Sequence, residues 1–429
     1  MSGNQLNRSL TWPQAVSMAV GSVIGSGILV LPAITAQEAG PASLVSWLAM
    51  GLFAIPLALT LGRLVAHMPH AGGIAAYARE AFGPAGGRLT GWLFLGTIPV
   101  GVPIIALVGA NYAGSVFHLT NWAMTGLAAV LLLFSLLLNA VGVKVAAWVQ
   151  MTTVALILTM LLAAIAAAAP HIQAGDFHPF LPHGWLPVGH AAVLIFWCFV
   201  GWEMVAHMAE EFRNPQRDIM LSLGLASLLV GSLYFAVSYV TVGTKAYGST
   251  AAVAPLNILV GRGFGPTATL FTAFLALLIA FGAIHINVAG FSRMVYAQAR
   301  EGDFPACFAR LHDKYRTPVT ALAGMGAAFS LVLLVNGFWT PNLGSLIEWP
   351  SVVFLVLYII AMASAIKLLL GKDRGWWLAL APLVVCLALY PFSGWAAVYP
   401  PALAGLGWLA GNRHPAGRNN APTSGNARF

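Results

Sequence analysis

The chain has 429 residues, of which 59% are hydrophobic and only 7% charged, with a mean hydropathy of +0.83. A soluble domain carries roughly 25% charged residues, so a water-soluble fold is excluded. The net charge of +8, which in a soluble chain would point to nucleic acid, has to be read through its placement along a polytopic membrane protein.

Twelve apolar segments follow one another, at about 13–37, 42–66, 88–116, 122–141, 145–169, 190–208, 219–244, 266–295, 318–337, 346–370, 376–391 and 394–410. Most approach the ~20 residues a membrane helix needs; the last two are short. With the N-terminus inside, every Lys and Arg except Lys245 and Arg262 falls on the inner side. That bias sets orientation by the positive-inside rule. Both termini are expected in the cytoplasm, and the basic excess is topology rather than a partner surface. Residues 1–12 form an inner leader, 13–410 one transmembrane domain, and 411–429, rich in Gly, Asn and Pro, a disordered tail. A polar start followed by a long first span argues against a cleaved signal peptide. Cys198, Cys307 and Cys386 are scattered and odd in number, so neither a disulfide framework nor a metal site is expected.

Span one is interrupted. Residues 21–27 hold three glycines and two serines, Gly21, Ser22, Gly25, Ser26 and Gly27. Glycine is the least favourable helix residue after proline, so the helix is predicted to break there. Broken backbone in hydrocarbon is tolerated where protein covers it or it lines a watery cavity, and a freed helix N-terminus attracts anions. The alternative is a small-residue packing face. In span three, Thr97 precedes Pro99 and Pro103, and the stretch is predicted to bend the helix beside the cavity. Span six carries the second interruption, Phe199-Val200-Gly201-Trp202-Glu203. Interrupted helices in corresponding places of two halves are the best sequence pointer to a transporter site.

At these residues the chain resembles the amino acid–polyamine–organocation (APC) superfamily of amino acid permeases. The match runs through Gly21 to Ile28 with Leu31-Pro32, the loop Pro69 to Gly83, Phe199 to Glu203 with Glu211 to Ile219, and Ser292 to Pro305. The resemblance implies an all-α polytopic fold of LeuT type. That fold is a five-plus-five inverted repeat with broken helices one and six, the repeats covering about 13–169 and 190–370, and two extra helices at about 376–410. It also implies secondary transport of amino acids, and the chain is most similar to bacterial exporters of methionine and branched-chain residues.

For the substrate carboxylate the candidates are the backbone of Gly25 and Gly27 and the hydroxyls of Ser22 and Ser26, with Ile24 beside them. For the ammonium they are the carbonyls freed at Phe199, Val200 and Gly201. By resemblance, Trp197 stands where relatives set an aromatic against the substrate; ordinary packing is the alternative, as it is for Trp202. Glu203 is an intramembrane carboxylate and so a functional candidate by default. It could carry a proton during transport, the alternative being a structural acid paired with His207 at i+4. His285 is a second candidate proton carrier or an interhelical tie. Span eight lacks the adjacent hydroxyl pair of sodium-dependent relatives, and span five lacks a mid-membrane lysine, so proton coupling is favoured over sodium. Glu210, Glu211, Arg213, Arg217 and Asp218 after span six face Arg293, Arg300, Glu301 and Asp303 after span eight, as a gate or as solvated loops.

The candidate pocket residues Ile24, Val102, Trp197, Phe199 and Val200 are apolar, and a charged cargo would want an opposing charge. The expected substrates are therefore methionine, leucine, isoleucine and valine, poorly discriminated because a methylene is worth only ~1–3 kcal/mol. Partners are the amino acid, protons and the bilayer; no cofactor, metal or nucleic acid is expected. Uptake or exchange of other amino acids or polyamines is the alternative, and a non-transporting sensor or scaffold a more distant one. A channel would want a repeated filter or a ring of like charges. An enzyme would want motifs such as HExxH or GxSxG, which are lacking.

Overall fold

A computed structural model describes residues 6, 8–25, 27–247, 267–339 and 343–412. Ser26 and almost all of the expected disordered tail lie outside these residues. Within them the chain is helical, with no strand and one isolated bridge between Leu10 and Phe212.

Span one is two helices, α1 (Trp12–Val23) and α2 (Gly27–Ala39). Thr11 and Gln14 form a capping box at the start of α1, satisfying backbone donors that have no partner within the helix. The chain then runs through α3 (Ser43–His67), a short α4 (Ile74–Phe82) and α5 (Pro84–Phe117). Next come α6 (Asn121–Val141) and α7 (Val143–Ala168), hinged at Gly142 with φ of 133°. Span six is α8 (Trp185–Phe196), a 3₁₀ turn over Trp197–Phe199, and α9 (Glu203–His207). The second half continues with α10 (Pro215–Gly243), α11 (Ala268–Arg300), α12 (Val319–Trp339) and α13 (Leu343–Leu369). Last are α14 (Leu380–Leu389) and α15 (Tyr399–Asn412).

Nine described helices are long and apolar enough to cross a membrane, ten if the bent C-terminal pair is one span. The distance from twelve has physical causes. α1, at 12 residues, is too short alone because the break ends it. The apolar stretch Gly27–His67 has 41 residues. At 1.5 Å per residue that is about 60 Å, twice the hydrocarbon thickness. A 3₁₀ turn over Gly40–Ala42, with Gly40 at φ of 63°, divides it, so α2 completes span one and α3 is span two. At the other end, Trp376–Leu389 and Ser393–Trp408 meet at 111°, so the two short final segments do not form two full-length spans.

The packing follows the expected halves. The most extensive helix pair is α3 with α10, spans two and seven; next is α5 with α11, spans three and eight; α6 also packs on α12, spans four and nine. Corresponding members of the two halves therefore lie side by side. Gly51 of α3 and Gly231 of α10 meet backbone to backbone: a Cβ built on either would lie about 3.5 Å from the other's Cα. In the most apolar window, 83% of α11 and 72% of α5 is buried, against 28% of α6. Spans eight and three are thus the interior of the bundle. α6 turns Val130, Leu133, Phe134 and Leu137 outward, as lipid contact requires.

Candidate functional site

Both interruptions predicted from the glycines are present. At the first, Ile24 leaves helical geometry with ψ of 84°, and the Gly25 N–H donates to the Val23 carbonyl at 2.8 Å. The same carbonyl accepts the Tyr234 hydroxyl of α10 at 2.7 Å. A carbonyl orphaned at a helix end deep in the bundle needs such a donor. At the second, Val200 is extended and Gly201 has φ of 124°, a region L side chains rarely adopt. The Gly201 N–H donates to the Tyr358 hydroxyl of α13 at 3.0 Å, and that hydroxyl donates to Glu203 Oε2 at 2.7 Å.

The two breaks touch. A Cβ on Gly201 would clash with the Ser22 carbonyl, and one on Gly27 would clash with the Cys198 thiol. Between them lies a small cavity of about 50 Å³, room for a few water molecules. Ser22, Val23 and Gly25 line it from the first break, and Trp197, Val200 and Gly201 from the second. α5 supplies Thr97, Gly101, Val102 and Ile105, and α11 supplies Ala283, Asn287 and Phe291 at i, i+4 and i+8. Phe354 of α13 completes the wall, edge-on to Trp197 with ring centroids 6.4 Å apart. None of these residues is charged.

Of the expected binding residues, Ser22, Gly25, Trp197, Val200 and Gly201 therefore come together around one space. Ile24, Gly27 and Phe199 are buried but outside its lining. Ile24 joins the hydrophobic core, Gly27 abuts Cys198, and Phe199 packs edge-on against Tyr234 at 5.3 Å. Ser26 lies outside the described residues. Thr97 and Val102 line the cavity as the span-three reading anticipates, on a helix that runs through both Pro99 and Pro103 without interruption.

Glu203 sits behind the Gly201 break, fully buried. The alternative pairing with His207 does not occur: the His207 Nδ1 contacts the Ala71 carbonyl at 3.1 Å, and the carboxylate's partner is Tyr358. Trp202 is buried beside it as packing. His285 stands away from the cavity. Its Nε2 lies 3.0 Å from the Ala146 carbonyl, and its Nδ1 lies 3.2 Å from Asn139 Nδ2, which ties α11 to α7 and α6. With Nε2 carrying the proton, both contacts are hydrogen bonds of a neutral ring, the arrangement of an interhelical tie.

The structural partners Tyr234 and Tyr358 were missed in the sequence. The available signal was a tyrosine inside an otherwise aliphatic helix, because a buried phenol usually finds a hydrogen-bond partner. Gly101, Ala283 and Phe354 were missed too, being apolar residues in apolar spans.

The arginine-rich end of the bundle is densely paired. Arg293 donates to Glu211 with N–O distances of 3.0 and 3.3 Å, and both side chains are buried. Arg300 binds Glu210 at 2.7 Å, and Glu210 also accepts the Ala71 N–H at 3.0 Å. Glu301 and Asp303, expected to face span six, instead take Arg79 of α4. Burial works against the charge on Glu210, but Arg300 and the Ala71 N–H outweigh it and hold its carboxyl below the ordinary range. The segment before α1 closes over this end: the Ser9 and Leu10 N–H groups donate to the Glu211 carbonyl at 2.9 and 3.0 Å.

The whole arrangement has relatives. The family profile described as amino acid permease matches residues 10–409. An uncharacterized amino acid permease, YecA of Bacillus subtilis, is 45% identical over 405 residues, covering 94% of this chain and 96% of the relative. The L-methionine/branched-chain amino acid exporter YjeH of Escherichia coli is 32% identical over 419 residues, covering 95% and 97%. A vacuolar cationic amino acid transporter 2 of Arabidopsis thaliana is 28% identical over 346 residues, 76% of this chain and 54% of its own length. With a profile spanning nearly its entire length and two full-length relatives above 30% identity, this multi-pass membrane chain belongs to the amino acid permease family of the APC superfamily, whose members are transporters rather than enzymes.

Proposed function

We propose that the protein exports neutral, apolar L-amino acids (methionine, leucine, isoleucine and valine) by alternating access, in exchange for protons. The observation that carries this reading is the uncharged cavity between two helix breaks. Backbone drawn out of helical register at Ile24-Gly25 and Val200-Gly201 suits a zwitterion, and the remaining walls suit a side chain without charge. The E. coli relative is named for the same substrates. Cargo of the cationic kind, for which the plant relative is named, would want a carboxylate at the side-chain end, and the described lining holds none.

Glu203 is the proposed proton carrier. It is an intramembrane carboxylate, two residues beyond the break at Gly201, and linked through Tyr358 to the Gly201 N–H. A change of its charge alters the hydrogen bonds that hold the second break, which couples protonation to the site. The single domain spans about 13–410, with both termini in the cytoplasm of a bacterial inner membrane by the distribution of Lys and Arg. Ion pairs at that cytoplasmic end, Arg300–Glu210 and Arg293–Glu211, hold the inner side closed.

The test is counterflow in proteoliposomes with a panel of unlabelled amino acids, with and without a pH gradient. The expected result is exchange of radiolabelled leucine and methionine that a pH gradient accelerates. Flux of arginine with none of leucine or methionine would refute the substrate reading. Glu203→Gln is expected to fold and bind but to lose the pH dependence; an unaltered pH profile refutes the carrier role.

A further inference from the structure

The six glycines of α5 other than Gly101 are buttressed. A Cβ on Gly86 or Gly87 would press on α4, on Gly91 against Gln298, on Gly96 against Leu403, on Gly109 against Ala280, and on Gly114 against Met124. Each of these glycines is there so that a neighbour can come close. Gly101 is different. A Cβ on it would meet only Pro350 Cβ, at 3.9 Å, an ordinary contact, and its exposed face lines the cavity. Glycine inside a helix costs about 1 kcal/mol against alanine, and no close helix–helix approach accounts for that cost here. The space its missing side chain leaves belongs to the cavity.

We propose that Gly101 sets the upper size limit of the substrate side chain. The inference rests on the substrate reading above and deepens it. If the amino acid's carboxylate and ammonium engage the breaks at Gly25 and Gly201, its side chain must extend toward the walls supplied by α5, α11 and α13. Gly101 lies on that wall, with Thr97 one turn before it and Ile105 one turn after. A methyl group at position 101 projects into the side-chain compartment without displacing backbone. An isopropyl group fills it further.

The test is competitive counterflow with glycine, alanine, valine, leucine and methionine in wild type, Gly101→Ala and Gly101→Val. Selectivity is read as a ratio within each preparation, so expression and reconstitution cancel. Gly101→Ala is expected to lower leucine and methionine against alanine by about tenfold, the lower end of what one carbon is worth in an apolar pocket. Gly101→Val should exclude them further while glycine and alanine are still carried. Adding Ile105→Ala to Gly101→Val should return part of the leucine flux. An unchanged ratio, or an equal loss of all substrates, overturns the proposal. A wild type that carries the panel while Gly101→Ala keeps the wild-type ratio overturns this inference alone; a wild type that carries none of the panel overturns the substrate reading with it.

Discussion

The two helix breaks solve the same problem with opposite chemistry. At the first, a carbonyl is left over, on Val23, and Tyr234 donates its hydroxyl to it. At the second, an N–H is left over, on Gly201, and Tyr358 accepts from it while passing its own proton toward Glu203. The first anchor is a hydrogen bond between two neutral groups, with no carboxylate on it. The second ends on a carboxylate. One break is thus pinned, and the other is pinned only as far as the state of Glu203 allows. Under the proton coupling proposed above, the second break is the one that a change in Glu203 would loosen.

The sharpest way to break the comparison is at the glycines. Gly201→Ala forces an L side chain to positive φ, a cost of about 1–3 kcal/mol, and drives its Cβ into the Ser22 carbonyl. Transport should be abolished and the protein's melting temperature should fall sharply. Gly25→Ala meets only the Val23 carbonyl at 3.9 Å, so it should leave the melting temperature near wild type and act on binding alone. Equal loss of stability in both would show that the breaks are not different in kind.

The lower end of span six is anchored by a buried ion pair, Glu211–Arg293. Glu211→Ala leaves an unpaired buried guanidinium and should cost about 3–5 kcal/mol, read as lost thermal stability in detergent. The tyrosines test the asymmetry directly. Tyr234→Phe leaves the Val23 carbonyl with the Gly25 N–H alone and should cost about 0.5–1.5 kcal/mol with no change in the pH profile of flux. Tyr358→Phe should cost at least as much and also shift that profile, because Glu203 loses its donor. If both variants moved the profile alike, the second break would hold no special place.

The smallest effect is expected at the rim. Glu210 is partly exposed, and its pair with Arg300 is worth about 0–1 kcal/mol. Its carboxyl is held below the ordinary value of about 4.3. The pair therefore contributes stability above the ordinary value and loses it as pH falls through the lowered one. Glu210→Gln should remove that acid-side dependence and leave substrate selectivity unchanged, as a stability titration below neutral pH would measure.

Much of this was legible in the chain. The breaks were readable because glycine clusters are so out of place in a membrane helix that residues 21–27 and Gly201 stood out without a structure. Glu203 was readable because a carboxylate in hydrocarbon is rare. Its partner was not: helical periodicity offered His207 at i+4, while the true donor, Tyr358, lies 155 residues away in sequence, a distance no local pattern reports. The same holds for Arg79, which claims Glu301 and Asp303 across 222 and 224 residues. The clustering of opposite charges on these loops was anticipated, but not which residues would pair. The span boundaries blurred where apolar length stopped being a guide. A broken helix leaves α1 too short to qualify alone, and Gly394, with φ of 53°, lies at the C-terminal bend. Of the cavity's apolar wall, Val102, Trp197 and Val200 were named from the sequence, while Ala283 and Phe354 were not, since they resemble their lipid-facing neighbours.

The meeting of Gly51 and Gly231 carries one more consequence. These residues sit on the second helix of each half, and their backbones touch with no side chain between. Two subunits related by a twofold axis meet in the same manner, each offering the other the same patch. Spans two and seven of this single chain meet in a comparable way, each giving up a side chain at the crossing so that backbone lies against backbone.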